Sequence, residues 1–362
     1  MKVYDCKLGR LGNAIFRYFA STLFKILYNA EKTYNQNECT QMLSDNDFIN
    51  WSNIVLNGNI PHIDNNKNFM FFGYYQHDNI YVKYKTEIIN WIYTHPNELL
   101  WIDGNDCNVN YFNYKSISYK NIQLLVNPYK NKIYDVVVHL RLEDFIKNSD
   151  VIHPESIKNV LDKINEKSVC IVVNKPTLEI ENKYINYFKK FYDITIESNS
   201  LIEDYHIMKN AKILVCSCST ISWIASFLSN RIKTVYFPNY TIKQNHETFK
   251  KPIENTILYE FTKCSEQDLK QFLLLEEKQI LLSEEKQILL SEEKQINRTI
   301  TKLDPYCAVN CKREPITKRI LEYIGNIENG FYIEAGAYDG ILQSNTKFLE
   351  EELNWTGILI EP

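Results

Sequence analysis

The sequence predicts an α/β protein with Rossmann-like layering, on three observations. Between residues 136 and 237, short apolar runs of strand formers alternate with segments of helical periodicity, the pattern of a parallel sheet covered by helices. The first of these runs, Val136-Val137-Val138, ends abruptly in His139, Arg141, Glu143 and Asp144. A buried parallel strand does this when it delivers charge at its carboxyl end, where open α/β sheets bind ligands. The chain also opens with a strand, a glycine-bearing turn and a helix, the geometry that lets backbone amides approach an anion.

Length and composition set the limits. The 362 residues suffice for two or three domains, and 44% hydrophobic residues allow a sizeable core. A net charge of -4 supplies no basic field for nucleic acid and no polybasic membrane anchor. The start, Met-Lys-Val-Tyr-Asp-Cys-Lys, holds no apolar signal-peptide core, and no run reaches the ~18 apolar residues of a membrane span. The nine cysteines are odd in number and lack framework spacing; Cys216 with Cys218, and Cys307 with Cys311, form no metal-ligand pattern. They read as reduced thiols in a cytoplasmic protein. The sequons at Asn50, Asn239, Asn297 and Asn354 are then chance matches.

Val3–Lys7 is the first strand candidate, and Gly9-Arg10-Leu11-Gly12-Asn13 leads from it into a helix from Ala14 to about Ala30. Asp45-Asn46-Asp47 has the spacing of a D-x-D metal motif, but no strand precedes it. Ser44 and Asp45 read better as a turn or a helix cap. Phe69–Gln76 is an aromatic strand broken by Gly73; glycine inside a strand marks close backbone approach, and a sugar cleft is one use of it. A helix over 82–94 follows, closed by Pro96.

In the middle of the chain, Leu140 and Leu142 alternate with charged residues, so His139, Arg141 and Glu143 are expected on one strand face. An arginine held there suits a diphosphate, being always charged, planar and able to give two hydrogen bonds at once. A solvated salt bridge at a strand end is the plainer alternative. Helices are expected over Pro154–Ile164 and Glu179–Phe191, with the strand Ser168–Asn174 between them and another at Ile194–Glu197. Then come a helix over Leu201–Asn210, the strand Lys212–Cys216, the polar run Ser217-Cys218-Ser219-Thr220, a helix over Ile221–Leu228 and the strand Lys233–Phe237. Ser219 and Thr220 can cap that last helix, or hold a phosphate at its positive end, and the two uses are compatible.

Leu273–Ile296 holds three copies of an eight-residue unit, Leu-Leu-Leu-Glu-Glu-Lys-Gln-Ile and then twice Leu-Leu-Ser-Glu-Glu-Lys-Gln-Ile. These are good helix formers. Eight residues turn the apolar stripe by ~80° per copy, so the segment cannot keep a coiled-coil seam and is expected as a linker helix. Beyond it, Gly330–Gly340 reads as a strand and a Gly/Ala turn, Lys347–Leu353 as a helix, and Trp355–Glu361 as a strand ending in an acid. A glycine turn after one strand and a carboxylate ending the next suit a nucleoside ribose.

Five stretches resemble the α-1,2-fucosyltransferases (glycosyltransferase family 11-like) in order and spacing, over residues 1–260. Gly9-Arg10-Leu11-Gly12-Asn13-Ala14-Ile15-Phe16-Arg17-Tyr18 is similar to that family's G-G-L-G-N-Q-x-F-Q-Y, and Gly73-Tyr74-Tyr75-Gln76 to its G-Y-x-Q. His139-Leu140-Arg141-Leu142-Glu143-Asp144 resembles its H-x-R-R-x-D, Glu203–Met208 its E-D-x-x-x-M, and Ser219-Thr220-Ile221-Ser222-Trp223 its N-S-S-F-S-W-W. The resemblance implies a GT-B-like pair of facing Rossmann-like halves, GDP-fucose as donor, a glycan as acceptor, inversion, and no metal. By position it implies Arg141 on the β-phosphate, His139 and Asp204 beside the guanine, Ser219 and Thr220 on phosphate oxygens, and the Gly12-Asn13 turn facing the diphosphate from the other half. Asp144 is the nearest candidate base. The departures are Leu142 for the second arginine, Glu143 for a glycine, Ala14 for the glutamine, Cys218 for an asparagine, Ile224 for the second tryptophan, and Val173-Asn174-Lys175 for the usual F-S-D.

Residues 306–362 resemble the opening of the FkbM-type methyltransferases, with their D-x-G-A-x-D-G, S-N-T and W-x-G-x-L-I-E-P. That implies S-adenosylmethionine held by Glu334, Gly336 and Glu361, in a fragment too short to work alone. The expected organisation is therefore residues 1–130 as the acceptor half, 131–262 as the nucleotide-sugar half, 263–305 as the helical linker and 306–362 as a partial methyltransferase fragment. Three functions remain open: a glycosyltransferase, a methyltransferase missing its remainder, and a non-catalytic nucleotide- or glycan-binding protein.

Overall fold

The computed structural model describes residues 1–6, 11–103, 117–127, 132–239, 251–276, 278, 286, 316–325, 327–336 and 346–361. Gly9 and Arg10 of the opening turn, Asn297, Cys307 and Cys311, the octad repeat past 276 apart from 278 and 286, and Asp339, Gly340 and Asn345 of the tail lie outside the described residues. The chain divides into two compact units, Met1–Leu273 and Leu274–Pro362.

The first unit opens with β1 (Lys2–Asp5), α1 (Leu11–Tyr28), β2 (Glu31–Lys32), β3 (Gln41–Leu43), α2 (Asp45–Leu56) and β4 (Phe69–Phe71). The four strands make a parallel sheet in the order β2-β1-β4-β3. β4 stops before Gly73, and the chain turns there with Tyr75 at φ +52°. The helix expected over 82–94 is two helices, α3 (Asp78–Lys83) and α4 (Lys85–Thr94), which meet at a non-helical Tyr84. β5 (Leu99–Asp103) and β6 (Ile117–Asn121) form an antiparallel ribbon, and a 3-10 turn at Ile122–Leu125 follows.

The second part of this unit carries β7 (Val136–Leu140), α5 (Glu143–Lys147), β8 (Val151–Ile152), α6 (Pro154–Ile164), β9 (Ser168–Val173), α7 (Glu179–Lys189) and β10 (Asp193–Glu197). Then come α8 (Leu201–Lys209), β11 (Ile213–Val215), α9 (Thr220–Phe227), β12 (Thr234–Pro238), β13 (Thr256–Tyr259), β14 (Lys263–Cys264) and a helix, α10, over 266–276. Six strands form one parallel sheet in the order β10-β9-β7-β11-β12-β13. Counted by appearance this is 3-2-1-4-5-6, the doubly wound order, and its direction reverses between β7 and β11. β8 and β14 pair separately, antiparallel.

Alternation along β7 sorts the two faces of that sheet. Val136, Val138 and Leu140 pack with Ile157, Tyr184 and Leu269, on the side of α6, α7 and α10. Val137 packs with Tyr205 and Trp223, on the side of α8 and α9. The strand ends at Leu140 and Glu143 opens α5, so the single strand face expected to carry His139, Arg141 and Glu143 does not extend that far. Leu142, in place of the family's second arginine, is buried in the core on the α6–α7 side. Residues read as the start of a linker also belong to that core: Leu269 and Leu273 are buried, and Phe272 packs edge-on against Tyr187.

α1 is apolar almost all round and buried almost all round, which suits a helix packed on both sides. It lies on β1 and β5 and against α9. Phe16 meets Trp223 with ring centroids 5.0 Å apart, and Phe19 meets Phe227 at 5.4 Å. One hydrophobic core thus runs through both sheets, and each such ring contributes about 1.5–3 kcal/mol by leaving water. α8 reinforces the seam: Tyr205 Oη and Lys209 Nζ donate to the Leu125 carbonyl at 3.0 and 2.8 Å, and His206 Nε2 lies 2.9 Å from the Leu124 carbonyl.

The second unit contains α11 (Ile316–Ile324), β15 (Phe331–Ala335), α12 (Lys347–Leu353) and β16 (Thr356–Ile360). The two strands pair in parallel. One face packs on a small core of Leu321, Tyr332, Phe348, Leu349 and Leu353. The other leaves Phe331, Ile333, Ile358 and Ile360 exposed, whereas parallel sheets are normally covered on both faces.

Candidate functional site

The strand order reverses between β7 and β11, and it is beyond the carboxyl ends of such strands that doubly wound sheets form their ligand crevice. Val138 pairs with Val215, so Arg141 and the Ser217–Thr220 segment leave neighbouring strands at the same level. A contact joins the two exits: the Ser217 hydroxyl lies 3.4 Å from His139 Nδ1. His139 is buried, and burial pushes its imidazole down to about 4. It is therefore neutral at pH 7, one ring nitrogen a donor and the other an acceptor.

Arg141 brings a guanidinium, charged at any physiological pH, to this exit. Its hydrogen bonds among the described residues both run to Asp144, Nε to Oδ1 at 3.1 Å and Nη2 to Oδ2 at 3.2 Å. The Phe145 ring supports the guanidinium, 5.4 Å from Cζ. Asp144 thus occupies the Nε–Nη2 edge, and Nη1 takes part in neither bond. The Arg141 side chain is 18% exposed and that of Asp144 37%, so this is a half-open pair with limited net strength. The carboxylate expected as the nearest candidate base is engaged in holding the arginine.

Helix α9 begins at the same exit. Ser219 is its N-cap, extended at φ -134° and ψ 131°, yet its hydroxyl makes no capping bond, although the residue is only 8% exposed. The first amides of α9 and the positive end of its dipole face the same region. From the amino-terminal sheet, Gly12 in the first turn of α1 presses onto Thr220. A Cβ added at Gly12 would lie 2.1 Å from Thr220 Oγ1 and 3.2 Å from the Ile221 nitrogen, so only glycine fits. Asn13 follows, its Oδ1 accepting from Gln76 Nε2 at 2.9 Å. The first and second family-like motifs are therefore hydrogen-bonded to each other, and the first meets the fifth at Gly12.

Asp204 lies on α8, which packs over β7 and β9. Its Oδ1 accepts from the Asn199 backbone at 3.1 Å and from Asn199 Nδ2 at 3.2 Å. Burial pushes the carboxyl up to about 6 against the pull of those bonds. Glu197 ends β10 close by. Burial raises it, but Asn199, Tyr134 and Lys132 donate to it and hold it below the usual carboxylate range. From the sequence, Ser217, Glu197 and Asn199 receive no role in the site, although Ser217 stands in the polar run 217–220 and Glu197 ends the strand Ile194–Glu197. The signal for Glu197 was there, an acid closing a strand of β-branched residues.

In the second unit, Glu334 is buried on β15 and accepts from Thr346 Oγ1 at 2.5 Å. Gly336, at φ +80°, donates its N–H to the Ile360 carbonyl at 2.8 Å. Glu361 follows Ile360, so Gly336 and Glu361 sit at adjacent strand ends while Glu334 is tied to α12's N-cap. Among the described residues no group of three His, Cys, Asp or Glu could hold a metal ion, and no helix is long and apolar enough to cross a membrane.

No protein-family model matches the chain, and no curated protein matches it. The crystal structure of POFUT1 in complex with GDP-fucose aligns over 65% of this chain and 96% of its own, at 12% identity and a TM-score of 0.31. At that score the alignment fixes neither fold nor function, and the crevice must be read on its own chemistry.

Proposed function

We propose that the chain is a glycosyltransferase that takes a nucleoside-diphosphate sugar, GDP-fucose by its motifs, and passes the sugar to a glycan hydroxyl with inversion and without a metal. One observation carries this reading: the half-open Arg141, with one guanidinium edge fixed by Asp144 and Nη1 outside that pair, leaves β7 beside the start of α9. A departing nucleoside diphosphate gains negative charge as the glycosidic bond breaks. A fixed guanidinium and helix-end amides stabilise that charge with little reorganisation. In this reading Ser219 and Thr220 offer hydroxyls to phosphate oxygens, and Gly12-Asn13 closes the pocket from the other sheet. Neutral His139 and Asp204 line the nucleoside side, and Asp144 orients the arginine. The engagement of Asp144 favours one rival, a nucleotide-binding protein without turnover, because it ties up the carboxylate nearest the arginine among the described residues.

Calorimetry with GDP, followed by GDP release from GDP-fucose in the presence of glycan acceptors, tests both. Wild type is expected to bind GDP and release it from the donor. Arg141→Ala should lose ~2–4 kcal/mol of transition-state stabilisation, as when one preorganised donor is removed. Unchanged turnover in that variant overturns the role. Binding without release in any acceptor screen selects the rival. A titration with S-adenosylmethionine tests Glu334, Gly336 and Glu361 separately, and heat from that ligand alone would favour the methyltransferase reading.

A further inference from the structure

We propose that Asp45 is a positioning residue for this crevice, acting through the turn at residues 73–76 on Asn13. The inference rests on the reading of the crevice as a nucleotide-sugar site. Of the D-x-D pair, Asp47 is committed to the start of α2. It accepts from Ser44 N at 3.0 Å and from Ser44 Oγ at 2.6 Å, completing a capping box. Asp45, the first residue of α2, reaches across to β4's exit. Its Oδ1 accepts the Tyr74 N–H at 2.9 Å and the Tyr75 N–H at 2.6 Å, and Oδ2 accepts Tyr74 again at 3.1 Å. Backbone bonds to an ionised carboxylate are among the stronger hydrogen bonds.

Several contacts hold this turn. A Cβ on Gly73 would sit 2.7–2.9 Å from the Asp45 carboxylate atoms, so the close approach needs glycine. Tyr75 is left-handed at φ +52°, a state that costs a non-glycine residue energy and must be held by its neighbours. Tyr81 Oη donates to the Tyr75 carbonyl at 2.7 Å, and Arg17 Nε donates to the Gly73 carbonyl at 3.1 Å. Gln76 comes next and holds Asn13. Asp45 thus fixes Tyr74 and Tyr75, the turn aims Gln76, Gln76 orients Asn13, and the adjoining Gly12 abuts Thr220.

Hydrogen-exchange mass spectrometry, GDP calorimetry and GDP release on full-length Asp45→Ala, Asp45→Asn and Gln76→Ala test the path. Asp45→Ala should lose protection in residues 73–76 and in 11–16 while other segments keep theirs. Its kcat/KM should fall on the order of 100-fold, the cost of a misplacement of about 1 Å. Asp45→Asn should recover most of that loss, because an amide oxygen can accept both N–H groups. Gln76→Ala should loosen 11–16 but leave 73–76 protected, which supports the path without disturbing the turn. Unaltered protection at 11–16 in Asp45→Ala overturns the coupling. An Asp45→Asn variant as inactive as alanine, with wild-type turnover raised by Mg2+ or Mn2+, overturns it in favour of metal ligation. Loosening of 11–16 in a protein whose wild type binds no GDP upholds the positioning path and removes the nucleotide-site reading instead.

Discussion

The two parallel sheets of the first unit each have an arginine at the carboxyl ends of two adjacent strands, and they use it in opposite ways. Arg17 is 1% exposed and donates to the carbonyls of Cys6, after β1, and Gly73, after β4, at 2.8 and 3.1 Å. It plugs the gap between those strands with protein groups. Arg141, beyond β7, is paired on one edge with a half-exposed carboxylate. Residue type is the same and both guanidiniums lie at strand carboxyl ends, although Arg17 belongs to α1 and Arg141 directly follows β7, so residue type does not decide the role. What decides it is whether the surrounding carbonyls consume the guanidinium's donors.

Replacing each arginine separates the two roles. Arg17→Met should cost about 3–5 kcal/mol of stability, since two buried carbonyls lose charged partners. Chemical denaturation measures it, and a loss below 1 kcal/mol would mean water replaces the guanidinium and the gap is not closed. Arg141→Ala should barely move the same denaturation midpoint while abolishing ligand response; unfolding of that variant would make the two arginines alike. A smaller effect is expected at the meeting of the sheets. Gly12→Ala forces a methyl onto Thr220 Oγ1, which should cost about 1–3 kcal/mol as overpacking does. Partial recovery in Gly12→Ala with Thr220→Ala, which removes that oxygen, would trace the cost to the contact.

The subtlest difference lies in pH. Burial lifts Asp204 to about 6 in the fold, above its unfolded value of about 4. The fold then favours the protonated acid. That stabilisation is complete below about pH 4 and lost as pH rises through about 6, of order 2 kcal/mol. His139, lowered to about 4 by burial, acts with the opposite sign. Its contribution is complete above about 6.5 and lost as pH falls through about 4. Asp204→Asn, which keeps an acceptor for both Asn199 bonds, removes the opposing Asp204 contribution, so stability in urea titrations should rise more steeply from pH 4 to 6 than in wild type. An unchanged slope would place the carboxyl in a wetter setting than its burial indicates.

The fold was legible where one residue pattern decides an element. Val136-Val137-Val138 gave β7, and Pro154–Ile164 gave α6 to the residue, because an apolar run and an N1 proline are local signals. β13, four residues of Thr-Ile-Leu-Tyr, was missed, since so short a stretch has too little periodicity to stand out. The pairing order of the sheet is likewise set by contacts between distant segments. The site divides in the same way. Arg141, His139 and Ser219 could be named because they lie at the carboxyl end of a strand or at the cap of a helix. Arg17 looked like an ordinary helix residue, since its partners are Cys6 and Gly73. Asp45 invited a metal reading because D-x-D spacing does not reveal which backbone N–H groups lie across from it.

The bed of rings that joins Phe16 and Phe19 to Trp223 and Phe227 also governs how this chain can be divided. Expressed alone, either portion would show water a strip of aromatic surface and invite clumping. Chimeras built by exchanging one portion with a relative's must carry α1 and α9 together as a matched set.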